Sequence, residues 1–203
     1  MTVPNVANTD QSTKSELIKE YPELFKGLGC LPGEHDIKIN TTVSPVVHPP
    51  RKVPVTIKGR VKEELDRMEA VGVIVRHIKP ADWVQSIVTV IKPNKVRICF
   101  DPQDLNLAIK REHFPMKTIE EIVAEILGVN VFSNLDAKSG FWHMKLTEES
   151  LKLCTFNTLF GRYRFTRLPF GIKSTSEIFQ RSMSQLFKDI ERRPPLGTKH
   201  QGA

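Results

Sequence analysis

The first 14 positions are polar and carry no periodicity, and a pattern begins only near Ser15. This predicts an unstructured tail at 1–14. From Gly29 to Pro54 the chain is rich in proline, with one alternating stretch at His35 to Asn40, which predicts an extended arm holding at most a short strand. Ile57, Val61, Leu65, Met68 and Val71 then recur every three or four residues ahead of Gly72, the pattern of an amphipathic helix with a glycine stop. Two β-rich runs, Val84 to Ile91 and Val96 to Phe100, flank Lys92-Pro93-Asn94-Lys95 and predict a hairpin with a basic tip.

In the second half, Thr118 and Glu121 form a capping box ahead of Ile119, Ile122, Val123, Ile126 and Leu127, and Gly128 closes that helix. A strand at Val131 to Leu135 delivers Asp136. Three more strand-like runs follow, Phe141 to Leu146, Leu151 to Asn157 and Arg162 to Leu168, with a turn at Leu159-Phe160-Gly161, and are expected to be antiparallel neighbours. Ser174 and Glu177 make a second capping box, for a helix whose Ile178, Phe179, Met183, Leu186 and Phe187 should face the core. Residues 192–203 have no pattern and read as a disordered tail. Strands and helices arranged in this way imply an α+β fold with an antiparallel sheet.

At 203 residues, 39% hydrophobic and 26% charged, the chain can build a sizeable globular core. Its net charge of +7 suits a polyanionic partner such as nucleic acid, although a charged run is more often a solvated face. The three cysteines, Cys30, Cys99 and Cys154, have no metal-like spacing, and their odd number argues against a complete disulfide framework and for a reducing compartment. No apolar leader and no run of eighteen apolar residues occur, so the expectation is an intracellular protein of the cytoplasm or nucleus with no membrane partner.

Asp136 stands at the end of an apolar run, and the next aspartate after it is Asp189. Taken alone, an aspartate there is more often a turn or cap residue than a metal ligand, Phe141 a core aromatic, and Lys95 and Arg97 a solvated hairpin. Two-metal phosphoryl transfer would need several carboxylates around ions about 3.5–4 Å apart. One well-placed carboxylate is half of such a site.

Four segments change these readings in combination. Asp101-Pro102-Gln103-Asp104-Leu105-Asn106, Leu135-Asp136-Ala137-Lys138-Ser139-Gly140-Phe141-Trp142, Phe160-Gly161-Arg162-Tyr163-Arg164-Phe165, and Leu168-Pro169-Phe170-Gly171-Ile172 with Phe179-Gln180-Arg181 occur in that order. Their order and spacing resemble the reverse transcriptases of gypsy-like LTR retrotransposon Pol polyproteins, over roughly Tyr21 to Glu191.

The resemblance implies a partial right-hand polymerase. Fingers would be formed by about 15–109 and 145–169, an incomplete palm by about 110–144 and 170–191, and 192–203 would be unrelated to the family. It implies an RNA-directed DNA polymerase segment whose partners are an RNA or DNA primer-template and a deoxynucleoside triphosphate, with Mg²⁺ as the family's cofactor. Asp136 matches the first catalytic aspartate and Ala137 the residue whose backbone carbonyl assists one ion. Phe141 matches the aromatic gate under the incoming sugar, Lys95 and Arg97 the cations on the triphosphate, and Phe170 and Gly171 the segment beside the incoming base and template. Mg²⁺ calls for hard oxygen ligands, and a guanidinium fork binds phosphate bidentately. Nucleic acid is expected along Arg51, Lys52, Lys58 and Arg60, along Lys110 and Arg111, and along Arg162, Arg164 and Arg167.

Three departures from the family's pattern stand out. After Ile172 the family usually continues with small residues and Ala-Pro, where this chain has Lys173-Ser174-Thr175-Ser176. The family usually has Pro-Asn-Gly-Lys where this chain has Pro93-Asn94-Lys95, and the Tyr-x-Asp-Asp signature does not occur in the sequence. The expectation is therefore a reverse-transcriptase fragment, truncated before that motif and catalytically incomplete as an isolated chain. The alternatives are a basic nucleic-acid-binding remnant without an enzymatic role, and an active polymerase completed by another chain or a longer isoform.

Overall fold

The computed structural model describes residues 11–93, 95–126 and 136–188. Helix α1 (Gln11–Glu20) is followed by strand β1 (Glu34–His35), helix α2 (Lys58–Ala70), β2 (Ile74–Arg76), β3 (Ser86–Lys92), β4 (Lys95–Asp101) and helix α3 (Gln103–Ala108). Then come α4 (Ile119–Ile126), β5 (Lys145–Leu146), α5 (Glu148–Leu153), β6 (Thr155–Thr158), β7 (Gly161–Phe165) and α6 (Thr175–Leu186). The fold is α+β. The described residues begin at Gln11, where α1 already includes four positions expected to belong to the tail, and the strand expected at Val131 to Leu135 lies outside the described residues.

The hairpin forms where two β-rich runs flank a short loop. β3 and β4 pair antiparallel from Ser86 opposite Asp101 to Lys92 opposite Lys95. Val96, Ile98 and Phe100 are buried on one face of β4, which leaves Lys95, Arg97 and Cys99 on the other. A second sheet has the order β2-β7-β6, all antiparallel. Gln85 joins the two sheets, because its N–H donates to the Thr155 carbonyl at 2.8 Å and its carbonyl accepts from Asn157 at 3.1 Å.

α2 buries Val61, Leu65 and Met68, with Ile57 at its entry, and stops at Gly72, whose φ is +72°. Val71 is exposed, since the helix ends one residue before it. The stripe packs against β4 and β2, over a core that includes Phe100, Phe156, Phe165 and Tyr163. Phe100 meets Phe165 edge-on with centroids 5.4 Å apart, so the hairpin's foot is keyed into the second sheet. The proline-rich arm runs beneath both. Its His48 N–H donates to the Val84 carbonyl at 2.8 Å, and Asn157 Nδ2 donates to the His48 carbonyl at 2.7 Å.

Four expectations are corrected. The run from Phe141 to Leu146 is mainly a 3₁₀ turn at Gly140–His143, and its short strand β5 pairs parallel with β1. Leu151 to Leu153 are helical rather than extended, because the Thr147 side chain caps the Ser150 N–H and acids fill the first turn. The second capping box does not form. Ser174 makes no side-chain cap, and Glu177 instead accepts from Arg111 Nε at 2.8 Å. On α6, Ile178 is buried and Phe179 packs against the core, while Leu186 and Phe187 are exposed.

Candidate active site

Asp136 is exposed, in coil at the start of a tight turn. Ser139 takes a left-handed conformation, φ 56°, and the turn passes directly into the 3₁₀ segment that carries Phe141. A side chain at Gly140 would stand 3.1 Å from the Phe179 ring and 3.3 Å from Ala137 Cβ. The turn is thus pressed onto α6. Phe141 extends that contact, with its centroid 5.3 Å from Phe179 and 4.6 Å from Phe170.

Phe170 precedes Gly171, whose φ of +106° and closeness to the Phe100 carbonyl oxygen exclude any side chain. The Phe170-Gly171 segment therefore rests on the foot of the hairpin. Lys95 and Arg97 lie farther along the same strand, with Arg97 about 10 Å from Phe100 at the usual strand rise. A continuous path of contacts runs from β4 through Gly171, Phe170 and Phe141 to the turn at Asp136. Both cations are exposed on the hairpin's outer face, and Asn94 at its tip lies outside the described residues.

The sequence singled out these residues but not what fixes them. Asn106 Nδ2 donates to the Gly171 carbonyl at 2.8 Å, and its Oδ1 accepts the Lys173 N–H at 2.9 Å. Arg111 pairs with the buried Glu177, and Arg181 pairs with Glu112, so two ion pairs tie α6 to the segment after α3. Asn106 and Arg181 lie within motif segments. Glu112 carried no local signal, because its partner is 69 residues away.

The expected nucleic-acid cations separate into groups. Arg51 is paired with Asp101, Arg111 with Glu177, and Arg164 with Glu148 at 3.4 Å. Arg162 donates to Asn157 Oδ1 at 3.1 Å, Arg60 to the Lys92 carbonyl at 3.2 Å, and Arg167 Nη1 is buried without a partner among the described residues. Lys52, Lys58 and Lys110 are exposed. Arg51 and Lys52 line a small pocket beside β3, whereas Arg164 lines a separate cleft of about 770 Å³ with Arg76, Lys79 and Lys152.

Among the described residues, no group of three or more His, Cys, Asp or Glu side chains is placed to hold a metal ion. Asp136 and the Ala137 carbonyl are hard oxygen donors of the type Mg²⁺ takes, but one carboxylate does not by itself fit a two-ion centre. No described helix is long and apolar enough to cross a membrane.

Comparison with known proteins agrees with this geometry. The family model "Reverse transcriptase (RNA-dependent DNA polymerase)" matches residues 84–201. An uncharacterized protein of Caenorhabditis elegans is 33% identical over 193 residues, which is 92% of this chain and 15% of that protein. The retrovirus-related Pol polyprotein from transposon opus of Drosophila melanogaster is 28% identical over 189 residues, 88% of this chain and 19% of the polyprotein. The chain thus spans less than a fifth of the length of these relatives. Among solved structures, the prototype foamy virus protease-reverse transcriptase superposes with a TM-score of 0.77 at 22% identity, covering 92% of this chain and 26% of that one. A structure of the foamy viral enzyme in complex with RNA/DNA hybrid gives 0.73 at 21% identity, again covering 92% and 26%. The chain belongs to the reverse transcriptase family, of the kind found in retrotransposon Pol polyproteins.

Proposed function

We propose that this chain supplies the fingers, about 15–109 and 145–169, and the first part of the palm, about 110–144 and 170–191, of an RNA-directed DNA polymerase. The observation that carries this reading is the contact path from β4 through Gly171, Phe170 and Phe141 to the Asp136 turn. Lys95 and Arg97 would grip the triphosphate of an incoming deoxynucleotide, Arg as a fork and Lys as a mobile point charge. Phe141 would lie under the sugar and exclude a 2′-hydroxyl, with Phe170 and Gly171 beside the base. Asp136 would be one ligand for Mg²⁺, which neutralises charge on the transferred phosphate.

No aspartate pair occurs in the sequence, so the isolated chain is expected to bind nucleotide without transferring it. The foamy viral protease-reverse transcriptase has been solved with an RNA/DNA hybrid, and a basic surface on this chain is compatible with a similar partner. Primer extension by the purified chain, on RNA and DNA templates with Mg²⁺ or Mn²⁺, should yield no product. Template-dependent synthesis that disappears in Asp136→Asn would instead show that a complete metal site exists and overturn the reading of an incomplete polymerase. Equilibrium binding of a deoxynucleoside triphosphate should weaken in the double variant Lys95→Ala/Arg97→Ala; unchanged affinity would sink the assigned roles.

A further inference from the structure

Asn106 sits where three parts of the candidate site converge: the foot of β4, the Phe170-Gly171 segment and the start of α6. Its side-chain amide engages both ends of Gly171-Ile172-Lys173, donating to the Gly171 carbonyl and accepting from the Lys173 N–H. The two partners also fix which way the amide faces, because a carbonyl needs a donor and an N–H needs an acceptor. Aspartate could satisfy Lys173 but would turn a second oxygen toward the Gly171 carbonyl. Alanine would satisfy neither.

The consequence reaches the aromatic cluster. Gly171 already lies against the Phe100 carbonyl with no space for a side chain, so the segment cannot move inward. Asn106 prevents it from lifting outward. Phe170 is half exposed, its ring centroid lies 4.6 Å from that of Phe141, and its backbone continues directly into Gly171, so a shift of Gly171 would carry the ring with it. We propose that Asn106 is a positioning residue that sets the height of Phe170 over Phe141, and with it the gap between the hairpin and the Asp136 turn. This rests on the reading that the gap receives a nucleotide, yet the placement itself can be tested without one.

The test uses the full 203-residue chain, with Asn106→Ala, Asn106→Asp and, as a control, Leu107→Ala at an exposed neighbour. Amide hydrogen exchange and ring-to-ring nuclear Overhauser contacts are read by NMR. In Asn106→Ala, exchange at Lys173 should rise about tenfold or more, the scale of one lost hydrogen bond, and Phe141–Phe170 contacts should vanish. Protection of the Ile178 amide, bonded to the Ser174 carbonyl, should persist. Asn106→Asp should keep Lys173 protected while the ring contacts weaken, and Leu107→Ala should change nothing. Unchanged Lys173 exchange in Asn106→Ala, or lost protection with the ring contacts intact, would overturn the assignment. If Ile178 loses protection as well, the alanine variant has unfolded, and the aspartate variant decides on the same ring contacts.

Deoxynucleoside triphosphate binding with Mg²⁺ forms a separate arm, in which Asn106→Ala should weaken affinity about tenfold. A wild-type chain that binds no nucleotide would defeat the functional reading, whereas the amide and ring readouts would still settle the role of Asn106.

Discussion

At Gly171 the backbone alone dictates the residue. A φ of +106° disfavours any L side chain, and the Phe100 carbonyl oxygen occupies the space a Cβ would need. Gly171→Ala should therefore cost about 2–4 kcal/mol, a combination of backbone strain and a forced shift of β4. Urea unfolding would reveal it, and an unchanged midpoint would mean that the segment yields freely. A different residue-scale effect concerns His35. Burial, and secondarily Arg181, hold its imidazole below the usual 6.5, with Glu112 acting in the opposite sense. Burial first, then Arg164 and Arg162, lower His77 likewise. A depressed folded value means that the unfolded chain takes up protons first as pH falls. Stability from these groups is complete above about 6.5 and declines from there toward the folded values. Urea midpoints should therefore fall as the pH drops below about 6.5, and fall less in His35→Gln/His77→Gln. An equally steep decline in the double variant would assign the effect elsewhere.

Among elements, those that depend on local pattern were readable from sequence. α2 shows its stripe at helical spacing and buries it, the β-rich runs of β3 and β4 pair across a short turn, and Thr118 with Glu121 forms its box reciprocally, at 2.7 and 3.3 Å. The failures are elements decided by distant partners. The box at Ser174 yields to the Arg111–Glu177 pair, and the strand expected at Phe141 gives way to a 3₁₀ turn pressed onto α6. The helix at α5 had a signal that was missed, namely Thr147 followed by two glutamates. Gln85 is a costly junction of another kind. Its backbone joins the two sheets, but its fully buried amide finds no partner among the described residues at either Oε1 or Nε2. Replacing it with Met, of similar length and apolar, should leave the backbone link intact and stabilise the chain by about 1–3 kcal/mol, the usual cost of a buried unpartnered polar group. Thermal and urea unfolding would measure this, and a lower midpoint in Gln85→Met would show that the amide is satisfied in solution.

Across the whole molecule, composition gave the sign of the partner, but only the structure distributes the charge. A net charge of +7 suggests a diffuse attraction for nucleic acid, yet several of the arginines are already held by Asp101, Glu177 or Glu148. An arginine that must leave a carboxylate to meet a phosphate exchanges one ion pair for another and gains little. Lys52 and Lys58, exposed beside the arm and α2, have no such competitor among the described residues. Binding to duplex DNA should weaken with salt by about 0.9 log unit per phosphate contact for each tenfold rise in concentration, because each contact releases a condensed counterion. Lys52→Ala/Lys58→Ala should therefore reduce the salt slope by about 2, while Arg164→Ala, in the other cleft and paired with Glu148, should leave it nearly unchanged. Fluorescence anisotropy across a salt series distinguishes the two. A slope that falls in Arg164→Ala but not in the double lysine variant would move the nucleic-acid surface from the hairpin side to the 770 Å³ cleft, and with it the orientation in which a template could meet Asp136.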